Sequence, residues 1–125
     1  VSLSAYHWYY YSDVKPTMCS SCNSYKVSVA NSYSLPTKVA GQTTAYSNGR
    51  NIYFASIVVN NNAGYFPNFS TFERFNVLGH ELGHAWGMAH SQYTWALMWE
   101  TMDSYYKYGV YWPTSDETSG VNRIY

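Results

Sequence analysis

An α+β domain is what this sequence predicts, and three observations predict it. Strand-like patterns lie in the first half of the chain, at Tyr25–Ala30 and Asn51–Val59. One long helical pattern follows from Ser70. Beyond Ser91 the chain is an irregular Trp- and Tyr-rich stretch, closed by a short helix. Strands first and helices after is the α+β signature.

Composition narrows the function classes. The 125 residues include 7 basic and 7 acidic side chains, for a formal net charge of zero, and only 11% are charged, against roughly 25% in ordinary soluble domains. Without a Lys/Arg cluster the chain lacks the counter-charge that nucleic acids and anionic membranes require, so neither is an expected partner. A hydrophobic content of 46% supports a core and excludes a disordered tail. The length sets one domain as the expectation, and no apolar run approaches the roughly 18 residues of a membrane span. The chain opens Val1-Ser2-Leu3 without an initiator Met or a leader pattern, so any signal or pro-segment is expected to be already removed or never included. Ser, Asn, Thr and Tyr replace Lys and Glu as the polar vocabulary, which leans towards a secreted protein.

Each element has its own signal. Cys19-Ser20-Ser21-Cys22 is a lone cysteine pair, and a structural zinc would need a second ligand pair that only the distant His7 could begin to supply. A local disulfide in an oxidising compartment is the leading reading; two inert thiols, or metal or redox chemistry, are the alternatives. Tyr25–Ala30 alternates apolar and polar residues like a half-buried strand. Ser47-Asn48-Gly49-Arg50 contains the Asn-Gly pair that prefers a type I′ hairpin turn. Asn51–Val59 is β-branched and aromatic with apolar residues on both faces, so it is buried on both sides or lines a cleft with one of them. Asn60–Gly64 ends it. Ser70-Thr71-Phe72-Glu73 is a capping-box pattern, and Phe75, Leu78, Leu82 and Ala85 form the apolar stripe of the helix it opens. Gly79 and Gly83 are read as close packing of that helix on a sheet. The final helix is expected from Thr114 or Ser115 to about Ile124. A lone His7 in an aromatic run is read as a surface or packing residue.

Three of the four histidines fall within eleven positions: His80-Glu81-Leu82-Gly83-His84, then Ala85-Trp86-Gly87-Met88-Ala89-His90. Four residues advance a helix by about 400°, so His80 and His84 point within about 40° of each other, one turn apart. Two imidazoles can then reach one metal ion at roughly 2.0–2.1 Å each. Glu81 lies about 100° round from His80, beside such an ion and placed to accept a proton from its water. On a continuing helix His90 would sit about 80° off the His80 direction and more than two turns away. A left-handed Gly87 removes that obstacle, because it ends the helix and swings His90 to a third ligand position.

This run, with Ser91 after it and Ala96-Leu97-Met98 a short loop later, resembles the zinc signature of metzincin peptidases, and in particular their matrixin branch in its small bacterial secreted form. Asp116–Tyr125 is similar to the closing matrixin helix. Ala40-Gly41-Gln42-Thr43 and Ala55–Asn60 carry a weaker likeness. The resemblance implies a metzincin-like fold: a twisted, mostly parallel sheet packed on a long active-site helix, and a small irregular C-terminal subdomain ending in a helix. It implies one zinc-peptidase catalytic domain over residues 1–125, with an upper subdomain of about 1–87 and a lower one of about 88–125. Met98 would form a tight turn under the zinc as a hydrophobic floor for the imidazoles. Trp8–Val14 resembles the end of the family's first helix and the turn after it, which implies either an N-terminus truncated relative to the family or an unusually short variant of it.

The function implied is that of a secreted, monomeric zinc endopeptidase acting on proteins or peptides. His80, His84 and His90 would hold one Zn²⁺, and Glu81 would be the general base for the water that attacks the scissile carbonyl. The substrate would lie along the strand Phe54–Val59 or the loop after it, with Trp95, Trp99, Tyr105 and Tyr106 as candidates for an apolar pocket after the scissile bond. The chain departs from the family at Tyr93, where an aspartate is usual, and at Trp99-Glu100, in place of Tyr-Pro. There is no tyrosine two residues after Met98 to serve as an extra ligand. It has three aspartates and no Asp/His-rich loop, so a second zinc or a calcium ion is not expected. Two rivals stand beside this reading. The tyrosine excess suggests a cell-wall or glycan-binding module with a vestigial zinc site. A peptidase whose third ligand is Glu100 or Glu117 would leave Gly87 and His90 without a role.

Overall fold

A computed structural model describes residues 1–19 and 26–125. In chain order they form α1 (Ser2–Tyr11), β1 (Val27–Ser32), β2 (Gly41–Asn48), β3 (Asn51–Asn60), α2 (Thr71–Ala85), α3 (Asp103–Tyr108) and α4 (Ser115–Val121). The α+β class expected from the sequence is what forms. The cysteine pairing involves Cys22, which lies outside the described residues, as does Tyr25 at the expected start of β1. No helix among the described residues is long and apolar enough to cross a membrane.

The sheet has the order β1-β3-β2. β1 pairs with β3 in parallel, Val27 opposite Ala55 through Ser32 opposite Asn60. β2 pairs with β3 antiparallel, Gly41 opposite Val59 through Asn48 opposite Asn51. Among the described residues the sheet is therefore mixed, where a mostly parallel one was expected, and the physical reason is the hairpin that turns β2 directly into β3. Its loop is Gly49-Arg50, and of these only Gly49 has a positive φ, +63°. That is the type II′ requirement, one residue out of step with the expected Asn48-Gly49 type I′ turn. Tyr53 has no partner between the Tyr46–Phe54 and Ser47–Ile52 pairs, which makes a bulge at the hairpin end. β3 is central and buries Ala55, Ile57 and Val59, while its other face is half-buried. Both edges of β3 are paired, so an added peptide strand has no access to it. The expectation that a substrate strand adds to Phe54–Val59, rather than to the loop after it, is therefore not met by this sheet; among the described residues β1 and β2 are its edge strands.

α2 begins as its sequence directs. Ser70 N–H donates to the Glu73 carboxylate at 2.7 Å and Glu73 N–H to Ser70 Oγ at 3.3 Å, a full capping box. Its buried face carries Val77, Leu78, Leu82 and Ala85, and half-buried Phe75 meets His7 edge-on at 5.8 Å. His7 is thus a packing residue, and burial holds its pKa below the ordinary value. α1 lays Trp8, fully buried, across α2 and donates the indole N–H to the Gly79 carbonyl at 2.9 Å.

The two α2 glycines do not serve the sheet, contrary to expectation. A Cβ at Gly79 would lie 3.2 Å from Leu97, and one at Gly83 would lie 2.3 Å from Met98 Sδ and 3.2 Å from Trp8. They admit the segment after His90 and the indole of α1. Two further differences concern the C-terminal third. α3, unexpected from the sequence, is a six-residue helix held by a Lys107–Asp103 ion pair at 3.0 Å and stopped by left-handed Gly109. α4 ends at Val121, short of Ile124, because Arg123 and Ile124 bond to carbonyls three residues back.

Candidate metal centre

α2 brings His80 and His84 onto one face, ring centroids 4.7 Å apart. The helix then stops as the glycine dictates. Gly87 adopts φ +96°, its N–H donates to the His84 carbonyl at 3.0 Å, and Met88 N–H donates to the Gly83 carbonyl at 3.0 Å. This is the paired-bond Schellman ending. The reversed chain carries His90 back to the same place, with ring centroids 5.2 Å from His80 and 4.9 Å from His84. One ligand atom from each of the three histidines lies within 4.8 Å of the others.

The remaining ring nitrogens explain why these atoms converge. His80 Nδ1 sits 2.9 Å from the Leu97 carbonyl oxygen, and His84 Nδ1 sits 2.8 Å from that of Met88. A carbonyl only accepts, so Nδ1 carries a proton in both rings, and the tautomer this selects turns the lone pair of Nε2 inward. Those two Nε2 atoms lie 3.1 Å apart. Facing lone pairs at that distance repel, and a shared cation relieves the repulsion. Two nitrogens bound to zinc at about 2.0–2.1 Å with a tetrahedral angle are about 3.3–3.4 Å apart, so the donor set fits that ion. Burial lowers the His80 pKa to about 4, which keeps the ring in the neutral form that binds metal.

Glu81 is buried beside this cluster, facing β2. Thr43 Oγ1 lies 2.6 Å from Glu81 Oε2 and 3.0 Å from the Glu81 carbonyl oxygen. Desolvation pushes the carboxyl pKa up, against smaller opposing pulls from the Thr43 hydroxyl and the charge of His90. A carboxylate with a raised pKa is a stronger base than one in water.

A cleft of about 810 Å³ runs past the cluster, lined by Val39–Thr43 of β2 and the loop before it, by Asn76, Val77, His80 and Glu81 of α2, and by Trp99–Met102. Of the four aromatic residues expected there, Trp99 alone lines it. Trp95 stacks on Tyr93 at 5.1 Å, and Tyr106 donates to Glu73 at 2.6 Å with Tyr105 against it. A second cavity of about 370 Å³ lies further along β2, lined by Thr43, Ala45 and Ser47 on that strand and by His84, Gly87 and Met88.

The alternative glutamate ligands lie elsewhere in function. Glu100 lines the cleft outside the histidine cluster. Glu117 is fully buried and accepts from Met98 N–H at 2.8 Å, Thr114 N–H at 2.7 Å and the Thr114 hydroxyl. It thereby ties α4 to the buried Met98, whose carbonyl accepts from Ser91 N–H at 2.8 Å. Sequence reasoning missed this link, although Thr114-Ser115-Asp116-Glu117 has the capping spacing that marks Glu117 as a reach-back residue. It also missed Thr43, for which no local signal exists.

The family model for matrixins matches residues 12–125. No curated protein and no solved structure matches the chain.

Proposed function

Because the chain belongs to the matrixin family, we propose that it is a secreted zinc endopeptidase with His80, His84 and His90 as metal ligands and Glu81 as general base. The observation that carries this reading is a buried carboxylate, raised in pKa, beside three converging imidazoles on the floor of an open cleft. One bound zinc ion would supply Lewis acidity, acidifying a water and polarising the scissile carbonyl. Glu81 takes a proton from the attacking water and returns it to the leaving amine. Gly87 serves as the break that delivers His90, and Met98 as the apolar floor.

The substrate is a protein or peptide in extended form, added as a strand to the free edge of β2. Its direction follows from the base. Glu81 abuts the Gly41 end of β2, whereas His84 and Met88 share a cavity with Ala45 and Ser47 towards its other end. The leaving amine belongs beside Glu81, so the peptide runs antiparallel to β2. Its residues after the scissile bond then enter the space between Asn76, Val77, Trp99 and Met102. A secreted location is supported by the sparse, uncharged polar composition and by the lone cysteine pair.

The test is peptide hydrolysis by the zinc-loaded protein, abolished by a chelator and restored by zinc. Glu81→Gln is expected to keep the zinc and lose about 10²–10⁴-fold in kcat. Full activity in that variant would overturn the role of Glu81. An inert, zinc-loaded native protein would overturn the endopeptidase reading.

A further inference from the structure

Resting on that reading, we propose that Thr43 is a positioning residue for Glu81, holding Oε2 so that Oε1, beside Gly41, is the oxygen that takes and returns the proton. A threonine hydroxyl has one proton to give. The carboxylate oxygen at 2.6 Å outcompetes the backbone carbonyl at 3.0 Å, being both closer and charged. Among the described residues, no other hydrogen bond reaches the Glu81 carboxylate.

The second oxygen is governed by what β2 lacks. A Cβ at Gly41 would lie 2.9 Å from Glu81 Cγ, 3.1 Å from Oε1 and 3.1 Å from Val77 Cγ1. Any side chain there displaces the glutamate, so glycine leaves Oε1 its room. Residues two apart on a strand share a face, and Gly41 and Thr43 present that face to one side chain 38 to 40 positions onward. β2 is itself fixed, with Gly41 opposite Val59 and Thr43 opposite Ile57 on the central strand. The strand that seats the substrate therefore also sets the angle of the base, and both are referenced to one rigid frame.

A purely structural threonine would be served best by valine, which keeps the volume and the β-branch. A positioning hydroxyl is served best by serine. Thr43→Val is expected to lose about 10- to 100-fold in kcat on a fluorogenic peptide, with KM changed less than about twofold and zinc content unchanged. Thr43→Ser is expected to stay within about threefold of the native kcat. Native kcat in the valine variant, or equal impairment of both variants, overturns the proposal.

A second measurement is independent of activity. In the zinc-free protein, the effects of Thr43→Val and Glu81→Met on the unfolding constant are expected to fall short of multiplying, by about fivefold, because each removes the same hydrogen bond. Effects that simply multiply overturn the contact itself. If the cycle shows coupling but the zinc-loaded native protein cleaves no peptide, the endopeptidase reading falls, and the catalytic role of the clamp falls with it.

Discussion

The ring of His84 is oriented by the carbonyl of Met88: its Nδ1–H donates across 2.8 Å to a residue four positions onward. On an uninterrupted helix that carbonyl would point away, along the axis. The turn at Gly87 brings it back, so one glycine both delivers His90 and fixes the tautomer of His84.

Replacing Gly87 with alanine is therefore expected to act twice. The left-handed backbone at φ +96° disfavours any Cβ, at about 1–2 kcal/mol, measurable as a lower denaturation midpoint of the zinc-free protein. Loss of the Met88 contact should weaken zinc binding about 10- to 100-fold in a competition titration against a chromophoric chelator. A variant that is destabilised but binds zinc normally would show that the Met88 carbonyl is dispensable.

Glu117→Gln tests the tie between α4 and Met98. An amide offers one oxygen where the carboxylate offers two, so its NH₂ would confront a donor, either Met98 N–H or the Thr114 pair. A buried, unsatisfied donor and a lost charge-assisted bond together are expected to cost about 2–3 kcal/mol. The readout is a shift in urea midpoint with an unchanged slope.

Tyr106→Phe is expected to lower stability within a defined pH window. The Tyr106 hydroxyl is the main cause holding the Glu73 carboxyl below its usual value, and the same bond pushes the Tyr106 pKa up to about 12. A depressed carboxyl contributes stability above its unfolded pKa and loses it as pH falls through the folded value. A raised phenol contributes stability below its unfolded pKa and loses it as pH rises through about 12. The melting temperature of the native protein should therefore exceed that of the variant on a plateau from about pH 5 to about pH 10, with the gap closing on both sides. Both side chains are largely solvated, so the gap is small and shrinks with salt.

The parts readable from sequence were those with local causes. Ser70 and Glu73 form a capping box four residues wide, and the His80–His84 spacing is a property of the helix alone. Gly87 mattered because one backbone conformation was needed at one position. The parts that were not readable depend on distant partners. Thr43 and Glu81 are 38 residues apart, and nothing near either announces the other. The edge role of β2 depends on where β1 pairs, and β1 is joined to β3 in parallel across a long stretch of chain. α3 was missed because six residues carry too little periodicity, although Asp103, Lys107 and Gly109 are its pairing and stop signals. Gly79 and Gly83 announce close packing in the sequence but not that Leu97, Met98 and Trp8 are what packs there, since a glycine marks an approach without naming what approaches.

The indole bond from Trp8 to Gly79 spans 71 positions of sequence, and the bond from Asp13 N–H to the Asn122 side chain spans 109. Closing such loops costs chain entropy that grows with the logarithm of loop length. Topologies built on distant pairings fold over roughly milliseconds to seconds, where local helical bundles take microseconds to milliseconds. The capping box can start α2 by itself, but the surfaces that hold the helix in place come from both ends of the chain. The histidine helix therefore gains its contact with Trp8 only when the first of these loops has closed, and α4 is tied to the segment after α1 only when the second has.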